Sequence, residues 1–343
     1  MKRFLLPLLL LLLTACSPQS LSGQVTEVIT GPDGTLTALV IETDAHEERG
    51  LLITGETMLF SHLDGVSQDL LLAYELPELI VSAECERLNK TLVDGREMPA
   101  CTVPWVSIDQ VHLEDTLLAD GTPVELWLTP FSTSYRLPNG PELLSVRRSS
   151  GPENVLVGGA EGYADLPEAA QQRVSAYYQE QGLLYDTQAE LERAYRAYVD
   201  AGCPEDFDSH MLEQSIYPTA SSQEVMYFLT SVTLPLDGNT ATELRLGAAF
   251  DRKTGEALEP QELFTCSPEA LITALLNCSK VTEPTLRREM TTAFRPEYLV
   301  FFPEHLEVSF PQGVLPSQEH AYILSIPYED LPLSPWAIPE AAA

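Results

Sequence analysis

Basic residues are scarce in this sequence. Its 343 residues include 19 Lys and Arg against 51 Asp and Glu, which gives a formal net charge of −32 at pH 7. A surface this acidic repels phosphate backbones and anionic lipid headgroups, which argues strongly against nucleic-acid binding. The simplest role of the charge is to keep the protein soluble.

Cysteine and long apolar runs are also in short supply. Six cysteines are too few for a disulfide-dense small protein, and no Cys-x-x-Cys pair typical of structural zinc sites occurs. Beyond the first 13 residues no apolar run reaches 18 residues, so no later membrane-spanning helix is predicted. A content of 44% hydrophobic and 20% charged residues is globular. The length suits about two domains.

The familiar catalytic motifs are missing as well. The sequence contains no HExxH, GxSxG, SxxK, Walker A or GxGxxG pattern, and no two histidines lie four residues apart. We therefore predict no catalytic residue, no metal site and no cofactor. A carboxylate pair for glycan hydrolysis stays open as an alternative, because 51 acids make such pairs inevitable. The acidic cluster at residues 205–208 lacks the order of oxygens of an EF-hand and is interpreted as a solvated loop.

The first residues resemble a targeting signal. A basic head, Met1-Lys2-Arg3, precedes an apolar run at residues 4–13, which is half the roughly 20 residues that a membrane span needs. The following Leu13-Thr14-Ala15-Cys16 resembles the bacterial lipobox. It predicts a signal peptide at 1–16, diacylation of Cys16, a tether at 17–22 and a location on the outer face of the cytoplasmic membrane. The alternative is an ordinary secreted protein with a cysteine there by chance.

Residues 23–115 show strand patterns. Alternating apolar residues at 24–28 and 36–42 flank the turn cluster Gly31-Pro32-Asp33-Gly34, and further β-rich runs lie at 50–54, 78–87 and 103–113. Short strands at this spacing predict an all-β small closed barrel, OB-like, acting as a spacer or a carbohydrate-type binding module. A β-rich connecting segment is expected at 116–159, ending at Gly158-Gly159.

From residue 160 the pattern changes to that of an α+β domain, predicted at 160–336 with a short tail at 337–343. Its helical start, 165–202, holds two helices, opened by Asp165 with Glu168 and by Thr187 with Glu190. Tyrosines on these helices are interpreted as core packing. The part at 203–336 is sheet-rich, with a hairpin around the turn 237–239, a helix after Ser267 and strands near 298–302, 306–310 and 322–327.

The cysteines other than Cys16 offer two local pairings. Cys85 with Cys101, and Cys266 with Cys278, are close in sequence and would form disulfides outside the cytoplasm, leaving Cys203 unpaired. Buried free thiols are the alternative.

Two segments of the second half resemble a known extracytoplasmic family. Residues 250–256, Phe-Asp-Arg-Lys-Thr-Gly-Glu, followed by Leu258 and Glu262-Leu263-Phe264, are similar to its "FDxKTG…L…DLF" pattern. Residues 306–310 and 326–331 are similar to its "gLxxxF…IPYxxL" ending. The family is the domain shared by the anti-sigma-V factor, which senses lysozyme, and a peptidoglycan deacetylase. Each motif has a structural role, and residues 251–255 suit the exit from a strand into a turn, with Gly255 at positive φ. The resemblance therefore implies a fold and no catalytic residue.

Together these features favour a non-catalytic binding or sensing module. The expected partners are the membrane, through the lipid anchor, and a cell-envelope component: peptidoglycan, a polysaccharide or a cationic host protein. The alternatives are an envelope glycan hydrolase and a structural or assembly lipoprotein. Ligand-binding residues and oligomeric state cannot be assigned from the sequence.

Overall fold

The computed structural model describes residues 19–63, 66–67, 71, 78–147, 163–235 and 241–340. The chain divides into two compact units, Met1–Gly140 and Pro141–Ala343. Unit 1 is built from strands and unit 2 from strands and helices, so the α+β class is confirmed.

The described part of unit 1 forms a mixed, mostly antiparallel sheet. The strands follow the order β10-β9-β8-β5-β1-β2-β3-β7-β6, and β4 lies beside the first half of β8. Their bounds are β1 Gln19–Thr30, β2 Leu36–Glu42, β3 Glu48–Leu52, β4 Met58–Ser61, β5 Leu79–Cys85, β6 Asn89–Val93, β7 Arg96–Thr102, β8 Trp105–Leu117, β9 Pro123–Leu128 and β10 Ser132–Arg136.

No closed OB-like barrel is found among the described strands of unit 1. The path runs from β10 to β6, and these two end strands do not pair with each other. Two contacts, β3 with β7 and β4 with β8, are parallel. Parallel neighbours come from distant parts of the chain, so a hairpin-by-hairpin reading of the sequence does not reveal them.

The predicted tether overlaps the first strand. β1 begins at Gln19, within the segment 17–22, and pairs with β5 from Gln19↔Cys85 onward. Alternation explains the early start, because Leu21 and Val25 are buried in the core of unit 1 while Ser20 and Ser22 are exposed. The expected connecting segment 116–159 includes β9 and β10. It also includes a strand of unit 2, and residues 148–159 lie outside the described part.

Unit 2 has two sheets and four helices in its described residues. One sheet joins three antiparallel strands to a parallel neighbour in the order β14-β13-β12-β11, and the other has the order β15-β16-β17. The strands are β11 Glu142–Arg147, β12 His210–Ser221, β13 Val225–Pro235, β14 Ala241–Asp251, β15 Leu299–Phe301, β16 His305–Phe310 and β17 Tyr322–Pro327. The helices are α1 Glu168–Gln181, α2 Thr187–Asp200, α3 Pro268–Cys278 and α4 Pro284–Ala293.

Opposite faces of β13 and β14 bury different cores. Met226, Phe228 and Phe250 pack against α1, through Val174 and Tyr178. The alternate residues Tyr227 and Ala249 pack in a second cluster with α3, α4 and the small sheet. In that cluster the ring of Tyr227 stacks on Phe301 with centroids 4.3 Å apart. This period-2 division makes the hairpin the centre of unit 2.

The helix starts differ from the sequence expectation. Asp165 lies in a 3₁₀ turn, Tyr163–Asp165, and α1 starts after Pro167 without a side-chain cap. The capping box proposed for Asp165 is therefore not formed. α2 is capped by Asp186, one residue before the predicted Thr187, and α4 was not predicted.

Candidate functional site

Helix α2 places two arginines on one exposed face. The carboxylate of Asp186 accepts a hydrogen bond from the Ala189 N–H at 3.1 Å, which satisfies one of the free donors of the first turn. Leu191 and Ala194 are fully buried. Arg193 and Arg196, three residues apart and therefore neighbours on the helix surface, are exposed.

The end of α2 turns the chain back toward this face. Gly202 and Cys203 both have left-handed backbones, with φ of 86° and 58°. The N–H of Cys203 donates to the carbonyl of Tyr198 at 3.0 Å, and the N–H of Gly202 donates to Val199 at 2.9 Å. Such bonds satisfy the last carbonyls of a helix and reverse the chain. The loop 204–209 therefore runs beside the end of α2 before β12 begins at His210.

A pocket of about 790 Å³ opens between the helix end and this loop. Its volume lies in the range of small-ligand sites, which is roughly 300–1,000 Å³. Its lining is Arg193, Arg196, Ala197, Asp200, Ala201, Pro204, Asp206, Phe207, Asp208 and His210. We refer to it below as the α2 pocket.

Aromatic rings form one part of the α2 pocket. Phe207 is half-buried and lies 5.4 Å from the ring of Tyr198 in an edge-to-face arrangement and 6.0 Å from the ring of His210. His210 is 5% exposed, so its ring is fixed at the base of β12. Desolvation, with a further contribution from Cys203, raises the pKa of the Tyr198 hydroxyl, which therefore stays neutral at physiological pH. Of these rings, Phe207 and His210 line the pocket, and Phe207 offers an apolar surface to a ligand.

Charges of both signs form the rest of the lining. The Arg193 Nη1 lies 3.0 Å from the Glu190 Oε2, and Glu190 is 7% exposed. Burial raises the pKa of the Glu190 carboxyl, while the Arg193 guanidinium opposes that rise. Arg196 Nε donates to the carbonyl of Glu192 at 3.2 Å. Two guanidinium groups thus share one pocket with the carboxylates of Asp200, Asp206 and Asp208.

This pocket is not predicted from the sequence. The acidic residues at 205–208 do lie in an exposed loop, as predicted, and Asp206, Phe207 and Asp208 also line the cavity. The sequence does contain a signal for this pocket. Arg193 and Arg196, two of only 19 basic residues, lie about one helical turn apart, and they are followed by Phe207, which is flanked by two aspartates. The chain reversal at Cys203 could not be recognised from the sequence, because no simple sequence pattern marks a positive φ at a residue other than glycine.

The predicted cysteine sites are placed as follows. Cys16 lies outside the described residues. Cys85 and Cys101 form a disulfide between β5 and β7, with Cα atoms 6.0 Å apart. The expected bridge from Cys266 to Cys278 is not formed, and Cys266 is a free thiol. Cys266 lies just before α3 and Cys278 is its last residue, and the 11 residues of this helix span about 16 Å, beyond the roughly 7 Å limit for a disulfide.

The motif at residues 250–256 forms a structural turn, as expected from its composition. The Asp251 carboxylate accepts hydrogen bonds from the N–H groups of Lys253, at 2.9 Å, and Thr254, at 2.8 Å. Gly255 has a φ of 71°. Phe264, further along, is 6% exposed and belongs to the larger core of unit 2.

Within the described residues, no group of three or more His, Cys, Asp or Glu side chains is arranged to hold a metal ion. In the same part of the chain, no helix combines the length and apolar character that crossing a membrane requires.

Comparisons with known proteins give a weak structural likeness. No family model and no curated protein matches the sequence. Two solved structures match 64% of this chain: a DUF3298 family protein from Pseudomonas aeruginosa PAO1, with 15% identity, a TM-score of 0.31 and 97% of that chain covered, and a DUF3298 member from Bacteroides fragilis, with 14% identity, a TM-score of 0.32 and 90% covered. Likeness at this level does not extend to a shared ligand or activity.

Proposed function

We propose that this protein is a lipid-anchored extracytoplasmic binding module whose α2 pocket holds a fragment of the cell envelope. The anchor part of the proposal is supported by the sequence around Cys16, and the binding part by the α2 pocket. The single observation that carries the binding proposal is the joint presence of two arginines, three aspartates and a half-buried phenylalanine in one cavity of about 790 Å³.

The lining favours a ligand that carries both signs of charge. Guanidinium groups bind carboxylates through paired N–H donors, and aspartates accept hydrogen bonds from ammonium and hydroxyl groups. The ring of Phe207 offers an apolar face to a sugar ring or side chain. Peptidoglycan fragments combine sugar hydroxyls, peptide carboxylates and free amines. They are therefore the envelope ligands that suit this chemistry best.

Binding without catalysis is favoured by what lines the pocket. The lining includes no serine, cysteine or lysine to serve as a nucleophile. Hydrolysis by a carboxylate pair is the second candidate, and the three aspartates are the observation in its favour. A basic protein partner is favoured by the net charge of −32 rather than by the pocket.

The test is binding of soluble muropeptides to the purified protein by calorimetry. The double variant Arg193→Gln/Arg196→Gln should weaken binding by at least about tenfold, since each charge-assisted hydrogen bond is worth roughly 1.5–3 kcal/mol. Arg288→Gln, an exposed arginine on α4, is the matched control and should leave affinity unchanged.

Four other outcomes would reject the proposal as stated. Muropeptides that fail to bind, or that bind equally well to the double variant, remove the assignment of the pocket. Muropeptides recovered in cleaved form would instead indicate the hydrolase. Retention of lysozyme, a basic probe, with no muropeptide binding would favour the protein partner.

A further inference from the structure

A row of serines crosses the sheet of unit 1. The strand register pairs Ser22 of β1 with Ser82 of β5, Ser82 with Ser107 of β8, and Ser107 with Phe60 of β4. Paired residues share a face of the sheet, so the three serines form a continuous line that ends at an aromatic ring. The line therefore carries three small polar side chains beside the larger ring of Phe60.

A second row runs alongside it. Ser20 pairs with Glu84, and Trp105 pairs with Met58. The indole Nε1–H of Trp105 donates to the Glu84 Oε2 at 3.2 Å, which joins the two pairs across β5 and β8. We call the surface formed by both rows the serine face: Ser20, Ser22, Met58, Phe60, Ser82, Glu84, Trp105 and Ser107.

The serine face is the side of the sheet away from the core of unit 1. Alternate residues on the same strands, such as Leu21, Val81 and Ile108, are buried in that core. On the serine face Ser22 is exposed, Ser82, Phe60 and Trp105 are partly exposed, and Met58 is 64% exposed. A polar and aromatic face of this kind needs solvent or a ligand to satisfy it.

The serine hydroxyls have no partner within the described protein. None of Ser22, Ser82 and Ser107 makes a side-chain hydrogen bond there, and Ser107 is 0% exposed with its Oγ closed to solvent. Gln110, on the same face three residues further along β8, has a buried Oε1 that also lacks a partner. A buried polar atom without a partner is costly, so its persistence points to a group that is bound in use.

Aromatic rings lie on the residues next to the buried hydroxyl. The rings of Phe60 and Trp105 are 5.8 Å apart, and Phe60 lies 5.2 Å from the ring of His62. β4 pairs only with β8 in the described part of unit 1, so Phe60 is on an edge strand. A ligand hydroxyl that displaces the Phe60 ring would reach Ser107.

We propose that the serine face binds a neutral glycan chain. The serine hydroxyls follow one another along their row at the strand spacing of about 4.8 Å, which suits the repeated hydroxyls of a polysaccharide, and the one carboxylate of the face, Glu84, already accepts a hydrogen bond from the Trp105 indole. Aromatic faces next to them pack against the apolar faces of sugar rings. No Lys or Arg belongs to the serine face, and the net charge of −32 repels anionic polymers, so an uncharged chain is the ligand class selected. This site belongs to unit 1 and is independent of the α2 pocket.

The experiment is native affinity electrophoresis of the full chain in gels that contain neutral polysaccharides: glucan, xylan, mannan and galactan. At least one should retard the protein, and polygalacturonate, an anionic polymer, should not. Trp105→Ala should raise the dissociation constant obtained from the retardation at least about tenfold, as expected for loss of a central aromatic contact. Phe131→Ala, an 81% exposed ring in the turn before β10, is the matched control.

Ser107→Ala separates binding from folding. Because it removes a buried hydroxyl without a partner, this variant should melt at the same temperature as the parent or higher. It should nevertheless bind the retarding polysaccharide more weakly, by about tenfold if one hydrogen bond is lost. The Arg193→Gln/Arg196→Gln protein should be retarded like the parent. The glycan result can therefore be interpreted even if muropeptides do not bind in the α2 pocket.

Several outcomes would overturn the glycan site. The proposal fails if none of the four neutral polymers retards the protein, or if only polygalacturonate does. It also fails if Trp105→Ala or Ser107→Ala is retarded as strongly as the parent while Phe131→Ala behaves normally.

Discussion

Gly255 lies directly against the backbone of Ala170. A Cβ added to Gly255 would stand 2.6 Å from the Ala170 Cα, a distance that real Cβ atoms do not adopt. The turn that follows β14 therefore packs on the first turn of α1 through backbone alone. A second link between the same segments is the ion pair of Arg173 with Glu256 at 2.9 Å, although both side chains are largely exposed and such pairs contribute little.

We expect Gly255→Ala to destabilise unit 2 through both strain and overlap. The left-handed φ of 71° is unfavourable for alanine, and the new methyl group must displace α1. Strain and overpacking each cost about 1–3 kcal/mol. Thermal unfolding of the purified protein measures the combined loss of stability from strain and overlap.

Gly313 supplies the matched control for this prediction. It has a φ of 83°, and a Cβ built there meets nothing within 4 Å. Gly313→Ala should therefore show the backbone strain alone and a smaller fall in melting temperature. Equal falls for the two variants would mean that the contact with Ala170 does not contribute.

How far the sequence predicts the fold depends on whether the contacts are local. The β13–β14 hairpin follows from two apolar runs, and its register extends from Val225↔Asp251 to Pro235↔Ala241, with the predicted turn 237–239 outside the described residues. The left-handed turn at Gly255 also followed from local composition. By contrast, the parallel contact of β4 with β8 joins residues that are 47 positions apart, Met58 and Trp105, and nothing local in the sequence signals it.

The two candidate sites were missed for different reasons, because the α2 pocket is built from residues 193–210, all close in sequence, whereas the serine face joins distant strands. The α2 pocket requires the reversal at Cys203, and the serine face requires the order of four strands, β1, β5, β8 and β4. Ser22, Ser82 and Ser107 look unremarkable along the chain. Only the register places them in one row.

The hydrogen bonds to Asp251 make unit 2 sensitive to acid. Partial burial acts to raise the pKa of this carboxyl, but the N–H groups of Thr254 and Lys253 outweigh it and lower the pKa below the ordinary 3.8. A carboxyl with a lowered folded pKa stabilises the protein above the unfolded pKa, and that stabilisation is lost as pH falls through the folded value.

We therefore expect Asp251→Asn to flatten the acid limb of the stability profile. The parent should lose melting temperature on going from pH 5 toward pH 3 by more than the variant does, with the difference arising below about pH 4. Melting curves across this range measure the effect. Asp206→Asn, an exposed carboxylate of the α2 pocket, is the control. Parallel profiles for the parent and Asp251→Asn would contradict the role given to the turn.

The Cys85–Cys101 disulfide should stabilise unit 1. It closes a loop with a sequence separation of 16, and loops of about 15 residues correspond to roughly 3 kcal/mol in the chain-entropy account. The double variant Cys85→Ala/Cys101→Ala should melt lower than the parent, and a reductant should lower the parent but leave the variant unchanged. Cys266→Ala, which removes a thiol that is not in a disulfide, serves as control for the loss of a cysteine. A parent that is insensitive to reductant would indicate that the bridge is absent in solution.

The proposed lipid anchor depends on one thiol, that of Cys16. We expect Cys16→Ala to prevent diacylation, because the thioether forms on that sulfur, and so to leave the precursor unprocessed or to release the protein. Two acyl chains hold a protein firmly on a bilayer. Without them the acidic polypeptide has no electrostatic attraction to anionic lipids that could keep it on the membrane. Expression in a bacterial host, radiolabelling with palmitate and salt-washed membrane fractionation measure the change. Cys203→Ala, at an exposed cysteine of unit 2, should keep both label and membrane association. Palmitate label or salt-resistant membrane binding that persists in Cys16→Ala would show that the anchor lies elsewhere.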